Sequence, residues 1–375
     1  MRAMPTRSLP RRLLLGPGPS NVHPRVLAAM GQPLLGHLDP AFLEILDRVQ
    51  AGLADLFGVR AGLTLPIPTT GSGGMEACFA NLLEPGDAIV VGVAGVFGTR
   101  MCEVAQRMGA QVSRVDSEWG SPLHAERVAE KVEEIRPRVV AFVHAETSTG
   151  VQQPVEAIAQ AARRVDALVV LDCVTSLGGL PVSLEDWGVD AAYSGTQKCL
   201  SCPPGLSPLH FSPRALARVQ ARQRPVQNWY LDAGLLAGYF GEERVYHHTA
   251  PISAIFGLAE ALDMIAEEGM PQRILRHQEA SRSLLDGMTA LGFAPLVAVD
   301  HRLPMLNALE IPEAIRESTG GEAGFRRRLL ENYGVEVGGG LGPLAGRIWR
   351  VGLMGENARL TSVEALLSVL QRELR

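Results

Sequence analysis

Short apolar runs alternate with segments of helical periodicity through the first two thirds of this 375-residue chain. Residues 88–93, 139–143, 168–171 and 206–211 are nearly continuous apolar stretches of strand length, the pattern of strands covered on both faces. Between them, residues 99–108, 123–135 and 155–165 space their apolar side chains three and four apart, which predicts helices. Such alternation predicts an α/β fold, with a mostly parallel sheet, helices on both faces, and ligands at the carboxyl ends of the strands. Residues 225–248 interrupt the pattern with an irregular stretch rich in Trp, Tyr and Phe, the kind of insertion that carries a function or an interface. A helix over 252–268 follows; Gly269 stops it and Pro271 marks a new start. Helices at 273–291, 323–332 and 362–374 then mix with short strands near Leu306 and Ile348, which predicts a smaller C-terminal α+β domain. The expected organisation is an arm over 1–14, a large domain over 15–268 and a small domain over 269–375.

Composition narrows the function classes. Charged residues at 20% and apolar residues at 46% describe an ordinary globular protein. A net charge of −5 and dispersed arginines argue against a nucleic-acid partner, and no apolar run reaches the roughly 18 residues of a membrane span. The first twelve residues are basic, but Leu13-Leu14-Leu15 is too short for a secretory core, and Pro5 and Pro10 break a transit helix. Five cysteines form no disulfide framework, so a reducing, cytoplasmic setting is expected.

The chain has two lysines against 33 arginines. Arginine replaces lysine on a solvated face but cannot act as an amine nucleophile, so each remaining lysine invites a reason. Lys131 lies on a charged helix with Glu134 three residues on, a surface pair. Lys198, in Tyr193-Ser194-Gly195-Thr196-Gln197-Lys198, has no charged face around it and is a candidate catalytic amine. Asp172 ends the apolar run 168–171 and so sits at the carboxyl edge of a strand, where it suits a protonated ring nitrogen, a helix cap or a metal. Thr69-Thr70-Gly71-Ser72-Gly73-Gly74 leads into a helix former, giving an anion pocket without the signature of a nucleotide loop. Cys199-Leu200-Ser201-Cys202 has no second pair at zinc spacing; small-residue packing or a redox brake on Lys198 are its readings. His247-His248 on a strand would point to opposite faces and make a poor chelate. Arg350, in the apolar run Ile348-Trp349-Arg350-Val351, is directed inward and needs a carboxylate, an internal one or a substrate's.

In their order and spacing, the loop at 69–74, Asp172 and Lys198 26 residues later resemble the class V, fold-type I pyridoxal phosphate aminotransferases. The likeness is to their alanine:glyoxylate and serine:pyruvate (or serine:glyoxylate) group and spans most of the chain. Leu15-Gly16-Pro17-Gly18-Pro19-Ser20-Asn21, Glu84-Pro85-Gly86-Asp87, Glu146-Thr147-Ser148-Thr149-Gly150, Tyr246-His247-His248-Thr249 and Gly339-Gly340-Leu341-Gly342-Pro343 are also similar to family segments. The resemblance implies a central sheet of the seven-stranded type and pyridoxal 5'-phosphate held on Lys198 as an internal aldimine. It further implies that Asp172 pairs with the pyridine nitrogen, and that Thr70, Gly71, Ser72 and Gln197 line the phosphate. Phe97 would stack where mammalian relatives have tryptophan, and Thr147 would lie beside the ring. Tyr246 and Thr249 would reach the phosphate from the second subunit of a homodimer, and Arg350 would clamp the substrate carboxylate. The implied reaction is ping-pong transfer between alanine or serine and glyoxylate or pyruvate. Pyridoxamine:pyruvate transfer, 2-aminoethylphosphonate:pyruvate transfer and cysteine desulfuration are the alternatives with the same fold. A non-enzymatic scaffold would have lost the cofactor residues, which are present here.

Overall fold

In the computed structural model, which describes residues 9–241 and 243–374, the apolar runs become two main sheets. In chain order the first strands are β1 (Leu13–Leu15), β2 (Leu63–Ile67), β3 (Ala88–Val93), β4 (Gln111–Asp116) and β5 (Val139–Val143). A short hairpin, β6 (Ala145–Glu146) and β7 (Val151–Gln152), precedes β8 (Leu168–Asp172), β9 (Ala191–Tyr193) and β10 (Ser207–Phe211). The last strands are β11 (Ala294–Pro295), β12 (Leu306–Glu310), β13 (Val335–Gly339) and β14 (Ile348–Gly352).

The large sheet has seven strands in the order β2-β10-β9-β8-β5-β3-β4, and β10 alone runs against its neighbours. Every residue of β5 and β8 is buried, which is why their sequences are apolar without alternation. The edge strand β4 buries only Val115 and reads as polar, so no apolar pattern marks it. Parallel neighbours need crossovers, and the helices Gly71–Leu82, Val96–Arg107, Ala125–Ile135 and Val155–Arg164 supply them. Two consequences set up a site at the carboxyl edge. The crossover helices begin there, and the chain turns back between β9 and β10 through residues 194–206, which lie over that edge.

The small sheet, β1-β13-β14-β12-β11, packs its apolar face on the helices Met270–Ala290, Gly321–Tyr333 and Leu360–Glu373 around Trp349, Phe293 and Phe325. Its first strand comes from residues 13–15, where the expected arm over 1–14 meets the expected large domain. Leu13 and Leu15 pair in parallel with Val335 and Val337, because an apolar triplet completes the open edge of β13 and buries Leu15 fully. Residues 1–8 of the expected arm lie outside the described residues. The irregular stretch 225–248 contains a single turn at Trp229–Leu231 and the helix Ala233–Phe240, capped by Asp232, whose Oδ1 accepts the Gly234 amide at 2.8 Å. Among the described residues, no helix is long and apolar enough to cross a membrane.

Candidate active site

At the carboxyl edge of β5 and β8 a cavity opens between the start of the helix Gly71–Leu82, the start of Val96–Arg107 and the loop 194–206. Asp172 ends β8 and points into it. One carboxylate oxygen accepts the Val174 amide at 2.8 Å and the other accepts the Tyr193 hydroxyl at 2.8 Å. Burial pushes its pKa up to about 7; these two hydrogen bonds and the distant Lys198 charge only partly oppose the desolvation. A carboxylate so placed is fixed in direction and short of a cation.

Lys198 enters the same cavity from the loop after β9. The loop is pinned from several sides: the Ser20 hydroxyl donates to the Lys198 carbonyl at 2.9 Å, and the Thr196 hydroxyl donates to the Pro203 carbonyl at 2.8 Å. The Lys198 amine donates to the Pro17 carbonyl, and the backbone of Gly18 lies so close that a β-carbon there would fall 2.5 Å from Nζ. With φ of +105°, Gly18 also holds a backbone conformation that suits glycine alone. Burial lowers the Lys198 pKa to about 8, so the neutral, nucleophilic amine is within reach of physiological pH.

Thr70, Gly71 and Ser72 form the third wall as N-cap and first turn of Gly71–Leu82. Thr70 makes no side-chain capping bond, which leaves the Gly71 and Ser72 amides available to an anion, while the Gly73 amide donates to the Thr70 carbonyl at 2.9 Å. The glycine run is a packing requirement: a β-carbon on Gly73 would lie 1.9 Å from the Thr69 hydroxyl and one on Gly74 2.2 Å from that of Ser207. Gln197 also lines the cavity, and its Oε1 is buried without a partner among the described residues.

Phe97 and Thr147 complete the enclosure, and one buried carboxylate, Glu146, positions both. It accepts the Ser148 hydroxyl at 2.6 Å, the Ser148 amide at 3.1 Å, and the amides of Phe97 and Gly98 at 3.2 and 3.4 Å. Those amides belong to the first turn of Val96–Arg107, whose Val96 amide donates to the Ser148 hydroxyl at 3.0 Å, so Glu146 and Ser148 together cap that helix and start it three residues before the expected position 99. Arg350 lies behind Thr147. Its Nε donates to the Gly339 carbonyl at 2.7 Å and one Nη to the Thr147 carbonyl at 3.3 Å, and it has no ion pair among the described residues. The internal pair that its inward direction allowed is therefore not made.

Eight predicted site residues thus share one cavity: Thr70, Gly71, Ser72, Phe97, Thr147, Asp172, Gln197 and Lys198. Tyr246 and Thr249 do not join them. They are exposed neighbours, 3.5 Å apart through their hydroxyls, on the surface that also carries the exposed Trp229 and Val245. His247 and His248 do not point to opposite faces as expected, because the segment is not a strand and the two Nδ1 atoms approach to 2.7 Å. Cys199 and Cys202 are buried, donating to the carbonyls of Thr175 and Gly257, and burial pushes their thiols up to about 11 and about 12. Neither has the low-pKa thiol that a redox brake requires. Lys131 meets Glu134 at 2.6 Å, as expected of a surface pair. Sequence reasoning missed Tyr193, Glu146 and Arg100, of which the first two stood inside quoted motifs without a role.

A profile of the family described as Aminotransferase class-V matches residues 13–316. Alanine–glyoxylate aminotransferase of Drosophila melanogaster is 38% identical over 98% of this chain and 93% of its own length. The (S)-ureidoglycine–glyoxylate transaminase of Bacillus subtilis is 35% identical over 97% and 91%. The crystal structure of an alanine–glyoxylate aminotransferase from Nostoc sp. superposes with a TM-score of 0.96 at 46% identity, covering 99% of this chain and 97% of that one.

Proposed function

The chain belongs to the class-V aminotransferase family, and on that premise we propose that it transfers an amino group between a small amino acid, alanine or serine, and a 2-oxo acid, glyoxylate or pyruvate, using pyridoxal phosphate. The observation that carries the reading is the convergence of a low-pKa amine, Lys198, and a cation-seeking carboxylate, Asp172, on a cavity floored by a helix N-terminus. The fit to the cofactor rests on unmet capacity there: the Thr70 cap that binds no amide, and Asp172 without a counter-ion.

Lys198 would hold the cofactor covalently through Nζ. Asp172 would pair with its ring nitrogen, Phe97 and Thr147 would flank the ring, and Thr70, Gly71, Ser72 and Gln197 would receive the phosphate. When bound, the cofactor supplies an electron-poor ring that makes the substrate α-hydrogen acidic. Lys198, once freed, moves that proton from the α-carbon, and its depressed pKa keeps it a base near neutral pH. The Tyr193 hydroxyl fixes the direction of Asp172. Arg350, with unused donors and no internal carboxylate, would take the substrate carboxylate, while Glu146 keeps the Phe97 end of the wall in place.

The site is completed in a homodimer. Tyr246 and Thr249 reach no part of their own cavity, and they share their surface with large exposed apolar side chains such as Trp229 and Val245, which supports their service to a second copy. A cytoplasmic setting accords with five free cysteines. The test is a set of half-reactions on loaded enzyme with alanine, serine, (S)-ureidoglycine and pyridoxamine as donors, read by loss of the visible band and its return with glyoxylate or pyruvate. Response to alanine or serine supports the reading. Response to pyridoxamine alone, or release of sulfide from cysteine without amino transfer, replaces it, and normal turnover by Lys198→Ala removes it.

A further inference from the structure

We propose that Arg100 is a further binding residue of this site, the cation that recognises the phosphate of the cofactor; the inference rests on the reading of the cavity as a pyridoxal phosphate site. Arg100 lies three residues after Phe97 in the helix Val96–Arg107, so the two side chains share one helix face. Its guanidinium carbon stands 4.9 Å from the centroid of the Phe97 ring, and one Nη donates to the Ser72 hydroxyl at 3.2 Å. The aromatic face steadies the charge, and the contact with Ser72 aims it at the first turn of Gly71–Leu82. The other arginine on the same helix, Arg107, is paired with Glu103 at 2.6 Å, whereas Arg100 has no carboxylate partner among the described residues.

Charge balance makes the assignment specific. A phosphate monoester carries close to two negative charges at neutral pH. A helix N-terminus offers roughly half a positive charge, and Thr70, Ser72 and Gln197 are neutral. Among the described residues lining the cavity, only Lys198 and Arg100 are cationic, and the Lys198 amine faces the Pro17 carbonyl. The remaining guanidinium donors, in a fixed fork, match phosphate oxygens two at a time, and the Ser72 hydroxyl, accepting from Arg100, is left free to donate its own proton to the same anion.

The experiment compares binding of pyridoxal 5'-phosphate and of phosphate-free pyridoxal to the full-length protein, by visible absorbance titration, for wild type, Arg100→Ala and Arg100→Lys. Losing a charge-assisted pair should weaken pyridoxal phosphate binding by about tenfold or more in Arg100→Ala while pyridoxal affinity stays within about twofold. Arg100→Lys, which keeps the charge without the fork, should fall between. Equal losses for both ligands would mean a general disturbance of the site and overturn the proposal. So would unchanged affinity for both, including the case where only the amino-acid KM rises, which would give Arg100 to the substrate carboxylate. Should the alanine variant fail to fold, Arg100→Gln carries the same comparison. Failure of wild type to bind pyridoxal phosphate at all would instead remove the underlying reading of the cavity.

Discussion

Asp172→Asn isolates the energetic cost of preparing this site. In the folded protein without cofactor, burial raises the Asp172 pKa from 3.8 to about 7, so the native state holds a proton there that the unfolded chain has released. The sign follows: the stability of the protonated form is fully present below about pH 4 and is lost as pH rises through about 7. At about 1.4 kcal/mol per unit the whole shift is worth on the order of 4 kcal/mol, of which about 2–3 kcal/mol is lost between pH 5 and pH 8. Asparagine keeps the size and an acceptor for the Val174 amide but cannot titrate. In urea unfolding of cofactor-free protein, the stability of the variant relative to wild type should therefore rise by about 2–3 kcal/mol between pH 5 and pH 8. His144 and His210, both lowered to about 4 by burial, act in the opposite direction, since their stability is lost as pH falls, but they are common to both proteins and cancel in the difference. Saturating pyridoxal phosphate should abolish the advantage of the variant at pH 8, because the wild-type carboxylate then has a cation to face. Parallel pH dependences for the two cofactor-free proteins would refute the desolvation argument.

The amine of Lys198 titrates near 8, so the second-order rate of cofactor capture, followed at the visible band by stopped flow, should climb as pH rises through about 8; a flat profile between pH 6 and 9 would contradict a buried, lowered amine. Arg350→Ala should raise the KM for both amino and oxo acids by roughly 30- to 150-fold, equivalent to about 2–3 kcal/mol for a charge-assisted pair, with a smaller effect on kcat. An unchanged KM would detach Arg350 from the substrate. Glu146→Gln turns an amide NH₂ toward backbone and hydroxyl donors, so it should cost about 2–3 kcal/mol in urea unfolding and change the visible circular dichroism of the bound cofactor. Wild-type values for both would show that the helix needs no anionic cap.

The parts of this molecule legible in the sequence are those whose cause is local. Strands β5 and β8 announced themselves because burial on both faces leaves only apolar residues, and Asp172 stood out because it ends such a run. Lys198 stood out because its neighbours offer no surface role. The edge strand β4 was invisible for the converse reason: with one of six residues buried, it carries no more pattern than a loop. The helix Val96–Arg107 began early because its cap comes from Glu146, some fifty residues away, and no window of sequence contains both partners. Arg100 and Tyr193 escaped for the same reason, since each is defined by a contact made across the fold.

Arg350 marks the limit most clearly. Its place in an apolar strand shows that the guanidinium goes inward, and inward guanidinium groups need an anion. Whether that anion is internal depends on what the fold brings opposite, which is the turn after β6, some two hundred residues earlier. The carboxylate there, Glu146, is already saturated by two contacts from Ser148 and two amides of the helix Val96–Arg107. Arg350 is left with two carbonyl oxygens and no ion pair among the described residues, the Glu146 charge favouring its charged form without pairing with it. An internal pair is what burial alone would favour. It fails because satisfying Glu146 locally is what leaves Arg350 available to a carboxylate that is not part of the chain.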